Sequence, residues 1–430
     1  MNKTELISIL RDLEYGRDAY LVGGTVRDMV LGKDPVDIDI VVRRGAERYA
    51  RNLSAKIGGT LFLLDKKRGV FRIAIKGKFQ AFYCDISSIR GEDIFTDLSF
   101  RDFTVDAMAI PLADIRTIID PYRGKDDITG KCIRAISRKS FEEDPLRLLR
   151  AFRLASTLEF KIDAETFNSI REMSSYLRLA ARERIRNEFF RLLSSPNSIQ
   201  YLKQMYDTGL LKEILAGLEN SGIKQGLQVL ERLEGLYNTL HTLFSPHDAK
   251  IESYLFSIIE EGITNATLWK WISLYRSNGV TEDLIRKALE SLRLGKKTYR
   301  IALLAIKYVH PSFLDKNIGD KKSVYHFFKA TGDDGIGLIL CQMASVATAT
   351  GGYGTVLRNG REAISWYLDE YKRMKDSPLI TGNDLIELFN IAPGPAFSHF
   401  IDMVEENRAI GKLITKNDAI SLLKKLVTNV

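Results

Sequence analysis

Covalent cross-linking has almost no material in this chain. Among 430 residues there are three cysteines, Cys84, Cys132 and Cys341, far apart and without Cys-x-x-Cys spacing. That argues against a disulfide framework or a zinc site and predicts a reducing compartment. Long apolar runs are lacking too. No stretch is long enough to span a bilayer, and Met1-Asn2-Lys3-Thr4-Glu5 opens without the apolar core of a signal peptide. The expected location is the cytoplasm, with no membrane partner. Two further absences narrow the chemistry. No persuasive pairing of a nucleophile with a histidine is present, and there is no internal repeat of about 30–45 residues and no low-complexity tract.

What is there has the balance of a globular protein, 45% hydrophobic and 27% charged. A chain of 430 residues exceeds one ordinary core, so roughly two to four packed units are expected. The net charge of +8 favours a polyanionic partner. Up to about residue 137, short β-rich runs alternate with helical pieces. Strands are predicted over 20–22, 38–42, 60–64, 70–75 and 79–86, and helices over 5–13, 25–31 and 46–57. Beyond, amphipathic segments rich in Leu, Arg, Glu and Lys run to the C-terminus. Thr350-Gly351-Gly352-Tyr353-Gly354 and Pro393-Gly394-Pro395 punctuate them. The fold class expected is α+β: an N-terminal head with a small mixed β-sheet and helices, followed by an elongated all-α region.

The chemistry concentrates in Leu21-Val22-Gly23-Gly24-Thr25-Val26-Arg27-Asp28 and, soon after, Asp37-Ile38-Asp39. Alternate side chains of a strand share a face, so Asp37 and Asp39 project together while Ile38 and Ile40 point the other way. Two carboxylates so placed can hold one or two Mg²⁺ ions against a triphosphate, which makes both residues candidates for catalysis and metal binding. The Gly23-Gly24 turn lies between strand and helix and lets backbone N–H groups reach phosphate oxygens. Arg27, one turn into that helix, can add a charge-assisted contact. Singly, an Asp-x-Asp is a common solvated strand edge and a Gly-Gly a common turn. Their combination with a helical arginine in so short a span points to nucleotide chemistry. Asp85, in the run Phe82-Tyr83-Cys84-Asp85-Ile86, is either a third carboxylate from a neighbouring strand or a strand-end cap.

These residues resemble the first signature of the bacterial class II CCA-adding tRNA nucleotidyltransferases and the related bacterial poly(A) polymerases, in the polymerase-beta-type nucleotidyltransferase superfamily. Further segments follow in that family's order. Arg101-Asp102-Phe103-Thr104-Val105-Asp106-Ala107 resembles its Arg-Arg-Asp-Phe-Thr-Ile-Asn-Ala motif. The resemblance implies that Arg101 meets the triphosphate and Asp102 the ribose 2′-OH. Phe100 stands where the family has its first Arg, and Asp106 where it has Asn. The second change adds negative charge near an anionic site unless a metal or an arginine offsets it. Asp120-Pro121-Tyr122-Arg123-Gly124 resembles the segment that closes the head.

Glu143-Asp144-Pro145-Leu146-Arg147 resembles the family's Glu-Asp-x-x-Arg motif. Asp144 fits an N-cap and Pro145 the first turn of a helix, which sets Asp144 and Arg147 one turn apart. The resemblance implies that this pair selects CTP and ATP, presenting acceptors and donors as a partner base would. Arg150 and Arg153 continue the face toward phosphate or orient the base reader. Glu183, Arg184 and Glu188, in a stretch resembling Glu-Arg-x-x-x-Glu, are expected to brace that helix. Residues 378–395 and the closing Lys-rich helix resemble the family's tail.

The organisation this implies is a catalytic nucleotidyltransferase head over 1–137 and a helical neck for base recognition over 138–200. A helical body over 201–310 and a tRNA-binding tail over 311–430 would follow, with Lys416, Lys424 and Lys425 as candidate contacts. The implied reaction is template-independent addition of C and/or A to the tRNA 3′ end from CTP and ATP, with Mg²⁺ as cofactor and pyrophosphate released. tRNA and the two nucleotides are the partners, and no protein partner is implied. Alternatives within the class are a C-adding or A-adding specialist and a bacterial poly(A) polymerase. The stretch over 86–98 is shorter than in many full CCA-adding relatives, where a flexible element there assists the switch from C to A, and this resemblance keeps the C-adder as an alternative. From another class comes a non-enzymatic RNA-binding protein. His247-Asp248 lacks the further ligands of a metal phosphohydrolase and is read as incidental.

Overall fold

The computed structural model describes residues 3–13, 18–66, 68–75, 82–277, 280–314, 320–346 and 353–427. It divides into two compact units. One is Met1–Ser195 with Gln204–Ile214, the other Pro196–Lys203 with Leu215–Val430.

The first unit is built on a six-stranded mixed sheet. Its strands are β1 (Ala19–Val22), β2 (Ile38–Val42), β3 (Thr60–Asp65), β4 (Val70–Ile75), β5 (Phe82–Ser88) and β6 (Ala109–Pro111). They lie in the order β3-β4-β5-β2-β1-β6. β2 and β5 run parallel and the other neighbours antiparallel. Helices α1 (Lys3–Arg11), α2 (Gly24–Val30), α3 (Ala46–Ile57), α4 (Ile94–Ser99) and α5 (Gly124–Thr129) fill the connections. β1 to β5 and α1 to α3 stand within a few residues of where the sequence places them, while β6, α4 and α5 were not expected. Residues 79–81 of the last expected strand and 350–352 of the glycine-rich stretch lie outside the described residues.

Two packing choices shape the site. Ile38, Ile40 and Val42 are buried, as the two-residue period requires. On the other face α4 lays Ile94 and Leu98 over Val22, Val41 and Ala109. The cover stops short of Asp39, which keeps a partly exposed side chain. The start of α4 is fixed by Asp93, whose carboxylate accepts from the Thr96 N–H at 2.8 Å.

Helices α6 (Lys139–Glu143), α7 (Leu146–Leu158), α8 (Ala164–Met173) and α9 (Arg182–Leu193) continue the unit. α7 packs against α9, with Phe152 from one and Phe189 from the other fully buried. Burying each such ring stabilises the fold by roughly 1.5–3 kcal/mol. Between them Asp163 caps α8, accepting from Glu165 and Thr166.

The second unit is helical, with Asn220–Asn238, Asn265–Leu274 and Asp334–Val346 packed together around Trp269 and Trp271. One correction to an all-α region is needed. Ile258–Glu260 and Ile263–Thr264 pair as a short ribbon, and in the first unit Cys132–Ile133 pairs with Lys161–Ile162. Runs of two or three residues carry too little alternation to be seen in sequence. Toward the C-terminus Leu385, Val404, Ala419 and Leu423 form a separate small core. No described helix is long and apolar enough to cross a membrane.

Candidate active site

β1 enters α2 through Gly23, whose φ of +63° is in the left-handed region. A Cβ at Gly23 would stand 2.8 Å from Nη1 of Arg101 and 3.3 Å from Oδ2 of Asp39. Glycine is what admits that approach and that backbone at once. Thr25, buried at the start of α2, sets the carboxylate segment. Its Oγ1 accepts from the Asp39 N–H at 2.7 Å and donates to the Asp37 carbonyl at 3.3 Å. The Asp37 carboxylate in turn accepts from the Tyr83 N–H at 3.1 Å.

The parallel register sets Asp39 opposite Asp85. Asp85 caps no turn: Arg72 on β4 clasps it through two bonds of 2.6 Å. Among the described residues, no group of three or more His, Cys, Asp or Glu side chains is arranged to hold a metal. Asp39 lines the cleft with Asp85, while the Asp37 carboxylate lies toward Tyr83 on β5. Burial pushes the Asp39 carboxyl up to about 6; Arg101 opposes the shift, while Asp85 and Asp106 add to it. A carboxylate desolvated among like charges is an environment that a divalent cation relieves, and carboxylate oxygen suits a hard ion.

The cationic half of the site is a chain of ion pairs. Asp97, almost wholly buried, lies 3.3 Å from Nη2 of Arg101 and 3.1 Å from Nε of Arg90. Burial alone would raise its carboxyl, but Arg101 and Arg90 hold it below the usual range. Asp102 is treated alike. Burial is outweighed by Arg150 and Arg147, with Nε of Arg150 at 2.9 Å. Asp106, the residue that adds charge where the family has Asn, lies 2.7 Å from Nη1 of Arg27 and 3.9 Å from Nη2 of Arg150. The arginine that offsets it is thus Arg27. Its remaining bonds go to Asp28 at 2.8 and 3.0 Å, so both sides of the guanidinium serve carboxylates.

On the helical side Asp144 is extended, at φ −145°, just before α7. Its carboxylate accepts from the Leu146 N–H at 3.2 Å and from Arg184 on α9 at 2.7 and 3.3 Å. Arg147 donates to the Ser140 carbonyl at 3.1 Å and to the Phe100 carbonyl at 2.7 Å. Arg153 pairs with Glu188 of α9 at 2.9 Å.

A cleft of about 860 Å³ gathers Asp39, Arg101, Asp102, Asp144, Arg147 and Arg150. Gly23 stands against Arg101 and Asp39, Gly24 opens α2 beside it, and Asp37 directly precedes β2. Arg27 and Arg153 do not line the cleft: one faces Asp106 and Asp28, the other Glu188. Sequence reasoning missed Thr25, Asp97 and Arg90. Thr25 stood inside the glycine motif, and Asp97 sits four residues before Arg101, the spacing of a helical ion pair. Arg90 left no local sign, because packing alone brings it to Asp97.

Two family models match this chain. Residues 19–134 match the Poly A polymerase head domain, and residues 159–221 match the probable RNA and SrmB-binding site of polymerase A. The CC-adding tRNA nucleotidyltransferase of Geobacter sulfurreducens is 29% identical over 412 residues, covering 95% of this chain and 92% of that protein. The A-adding tRNA nucleotidyltransferase of Deinococcus radiodurans is 27% identical, covering 95% of each. Among solved structures, the Thermotoga maritima CCA-adding enzyme complexed with tRNA-CCA has a TM-score of 0.73 at 21% identity, covering 99% of this chain and 96% of that one. That last likeness is one of fold. The matched head carries the glycine turn and both carboxylates, and the cleft joins Asp39 to the neck residues Asp144 and Arg147. Over 95% of its length the chain is similar to tRNA nucleotidyltransferases, a likeness that supports the CCA-adding and poly(A) polymerase family.

Proposed function

We propose that this chain is a template-independent tRNA nucleotidyltransferase, adding C and/or A to the tRNA 3′ terminus from CTP and ATP and releasing pyrophosphate. The observation that carries the reading is Asp39 beside Gly23 and Arg101, in one cleft with Asp144 and Arg147. Asp37 and Asp39 would hold the divalent ion, for which we propose Mg²⁺; bound there it would ease deprotonation of the attacking hydroxyl and neutralise charge on the leaving group. The tRNA 3′-OH attacks the α-phosphate in line, the new O–P bond forms, and the bond to the bridging oxygen breaks as pyrophosphate departs.

Gly23, Gly24 and Arg101 face the triphosphate. Asp102 accepts from the ribose 2′-OH with the lone pairs that Arg150 and the Phe103 N–H leave free. Arg147 commits N–H groups to Ser140 and Phe100 and keeps others, from a guanidinium that has five, for the edge of the base. Asp144 supplies the acceptor beside it, and Arg184 holds that carboxylate in place. Arg150 fixes Asp102, Arg27 fixes Asp106, and Arg153 joins α7 to Glu188 of α9, so Arg27 and Arg153 position the site rather than touch nucleotide. The division assigns chemistry to a head over 1–137, base choice to a neck over 138–200 and tRNA holding to a tail over 311–430, with a helical body over 201–310 between neck and tail. Lys416, which also pairs with Asp384, Lys424 and Lys425 remain tail candidates. The cytoplasm, where tRNA and both triphosphates occur, is the compartment this activity requires.

A C-adding specialist is the second reading. In the family a flexible element between the segments of Asp85 and Arg101 assists the switch from C to A. Here that connection is short and pinned: Ile89 donates to Val42 at 2.9 Å and the Arg90 N–H to Asp97 at 3.0 Å. The test uses tRNA transcripts ending before CCA, after its first C and after CC, each with Mg²⁺ and CTP, ATP or both. Completion to CCA marks the full enzyme, and a halt at CC the C-adder. ATP use on the CC end alone marks the A-adder, and long A tails a poly(A) polymerase. No extension at all defeats the proposal in favour of a non-enzymatic RNA binder.

A further inference from the structure

Phe100 departs from the family's motif, and it is the only aromatic ring lining the cleft among the described residues. The ring is 39% exposed there, although the other apolar side chains of the cleft are at least partly covered. Its backbone is fixed from several sides. The Phe100 N–H donates to the Asp97 carbonyl at 3.2 Å. Its own carbonyl accepts from Arg147 at 2.7 Å and from Arg90 at 3.4 Å. The Arg90 guanidinium carbon lies 5.4 Å from the ring centroid, within cation–π range. Arg90 is in turn held by Asp97, whose other oxygen faces Arg101. A rigidly anchored ring, exposed to a polar cleft and flanked by guanidiniums, has the make-up of a stacking surface for a nucleobase.

Its neighbours locate which base. Arg101, next in the chain, stands against Gly23 and Asp39, where the reading above puts the triphosphate. Arg147, which reads the base edge in that reading, holds the Phe100 carbonyl. Phe100 is thus tied to both, to Arg101 through the chain and to Arg147 through its own carbonyl, and all three line the one cleft. We propose that Phe100 is the stacking platform for the base of the incoming nucleotide, with Arg90 fixing the orientation of the ring. This rests on the nucleotidyltransferase reading. A ring face discriminates no base edge, so Phe100 adds affinity to CTP and ATP alike, and selection stays with Asp144 and Arg147.

The experiment compares the full chain with Phe100→Leu, which keeps apolar bulk, and Phe100→Tyr, which keeps the ring. The first readout is the fluorescence of pyrrolo-CTP bound without tRNA, which stacking quenches. The second is kcat and KM for CTP on a tRNA transcript lacking CCA. Wild type and Phe100→Tyr should quench the probe. Phe100→Leu should lose most of the quenching and raise KM roughly tenfold with kcat within about twofold, the pattern of lost uniform binding. Full quenching by Phe100→Leu, or a loss in kcat at unchanged KM, overturns the platform and leaves the ring a structural part. A failure of the underlying reading shows separately, as absence of CMP incorporation by the wild type, while the quenching arm still reports on the ring.

Discussion

At Asp39 the needs of the fold and those of the chemistry oppose each other. Its carboxyl rises from 3.8 to about 6, chiefly through burial. Between those values the folded chain binds more protons than the unfolded one. The stability associated with the neutral form is complete below about 4 and is lost as pH climbs through about 6. Asparagine keeps the shape and removes the charge. In chelator-treated buffer, Asp39→Asn should therefore melt several degrees above wild type at pH 8, with the gap closing toward pH 4. Thermal melts at both pH values check this, and an equal gap at both contradicts it. Gly23 makes a second residue-level case. Gly23→Ala would strain a φ of +63° and push a methyl group within 2.8 Å of Arg101. The expected result is at least roughly tenfold weaker nucleotide use, from displacement of Arg101 more than from the backbone strain of about 1 kcal/mol. Steady-state kinetics with CTP measure it, and an unchanged KM would refute the close approach.

Among elements, α7 and α9 depend on each other through charge as well as packing. Arg153 and Glu188 are mostly buried between them, with 14% and 12% of their side chains exposed. Glu188→Ala leaves a guanidinium there without its partner, and breaking such a pair costs on the order of 3 kcal/mol. Chemical denaturation should show that loss, and Arg153→Met combined with Glu188→Leu should recover most of it. The same pair shows what sequence can and cannot disclose. The alternation of β2, the glycine turn and the helical run of α7 follow local periods, so both the elements and the face carrying Asp37 and Asp39 were readable. Who holds whom was not. Asp85 meets Arg72 because of strand register, and Arg27 meets Asp106 across 79 positions. Arg27, expected on phosphate, and Arg153, expected on phosphate or as a support for the base reader, face carboxylates, because long-range packing supplies nearer anions. Short strand pairs such as Ile258–Glu260 with Ile263–Thr264 escaped for lack of length.

For the whole molecule, a net charge of +8 bears on how a polyanion is held. Binding tRNA through phosphate contacts releases counterions, so affinity should fall by more than about tenfold between roughly 50 and 200 mM salt. Fluorescence titration of labelled tRNA checks this, and a flat salt response would point away from backbone contacts. The account as a whole stands on the carboxylates proposed to hold the metal ion, Asp39 in the cleft and Asp37 just before β2. The direct test is incorporation of labelled CMP onto a tRNA transcript lacking CCA, with Mg²⁺, by wild type, Asp37→Ala and Asp39→Ala. The account predicts transfer by wild type and a loss of at least about a thousandfold in each variant, with both variants still folded. Transfer at the wild-type rate by either variant, or none by the wild type, would contradict it.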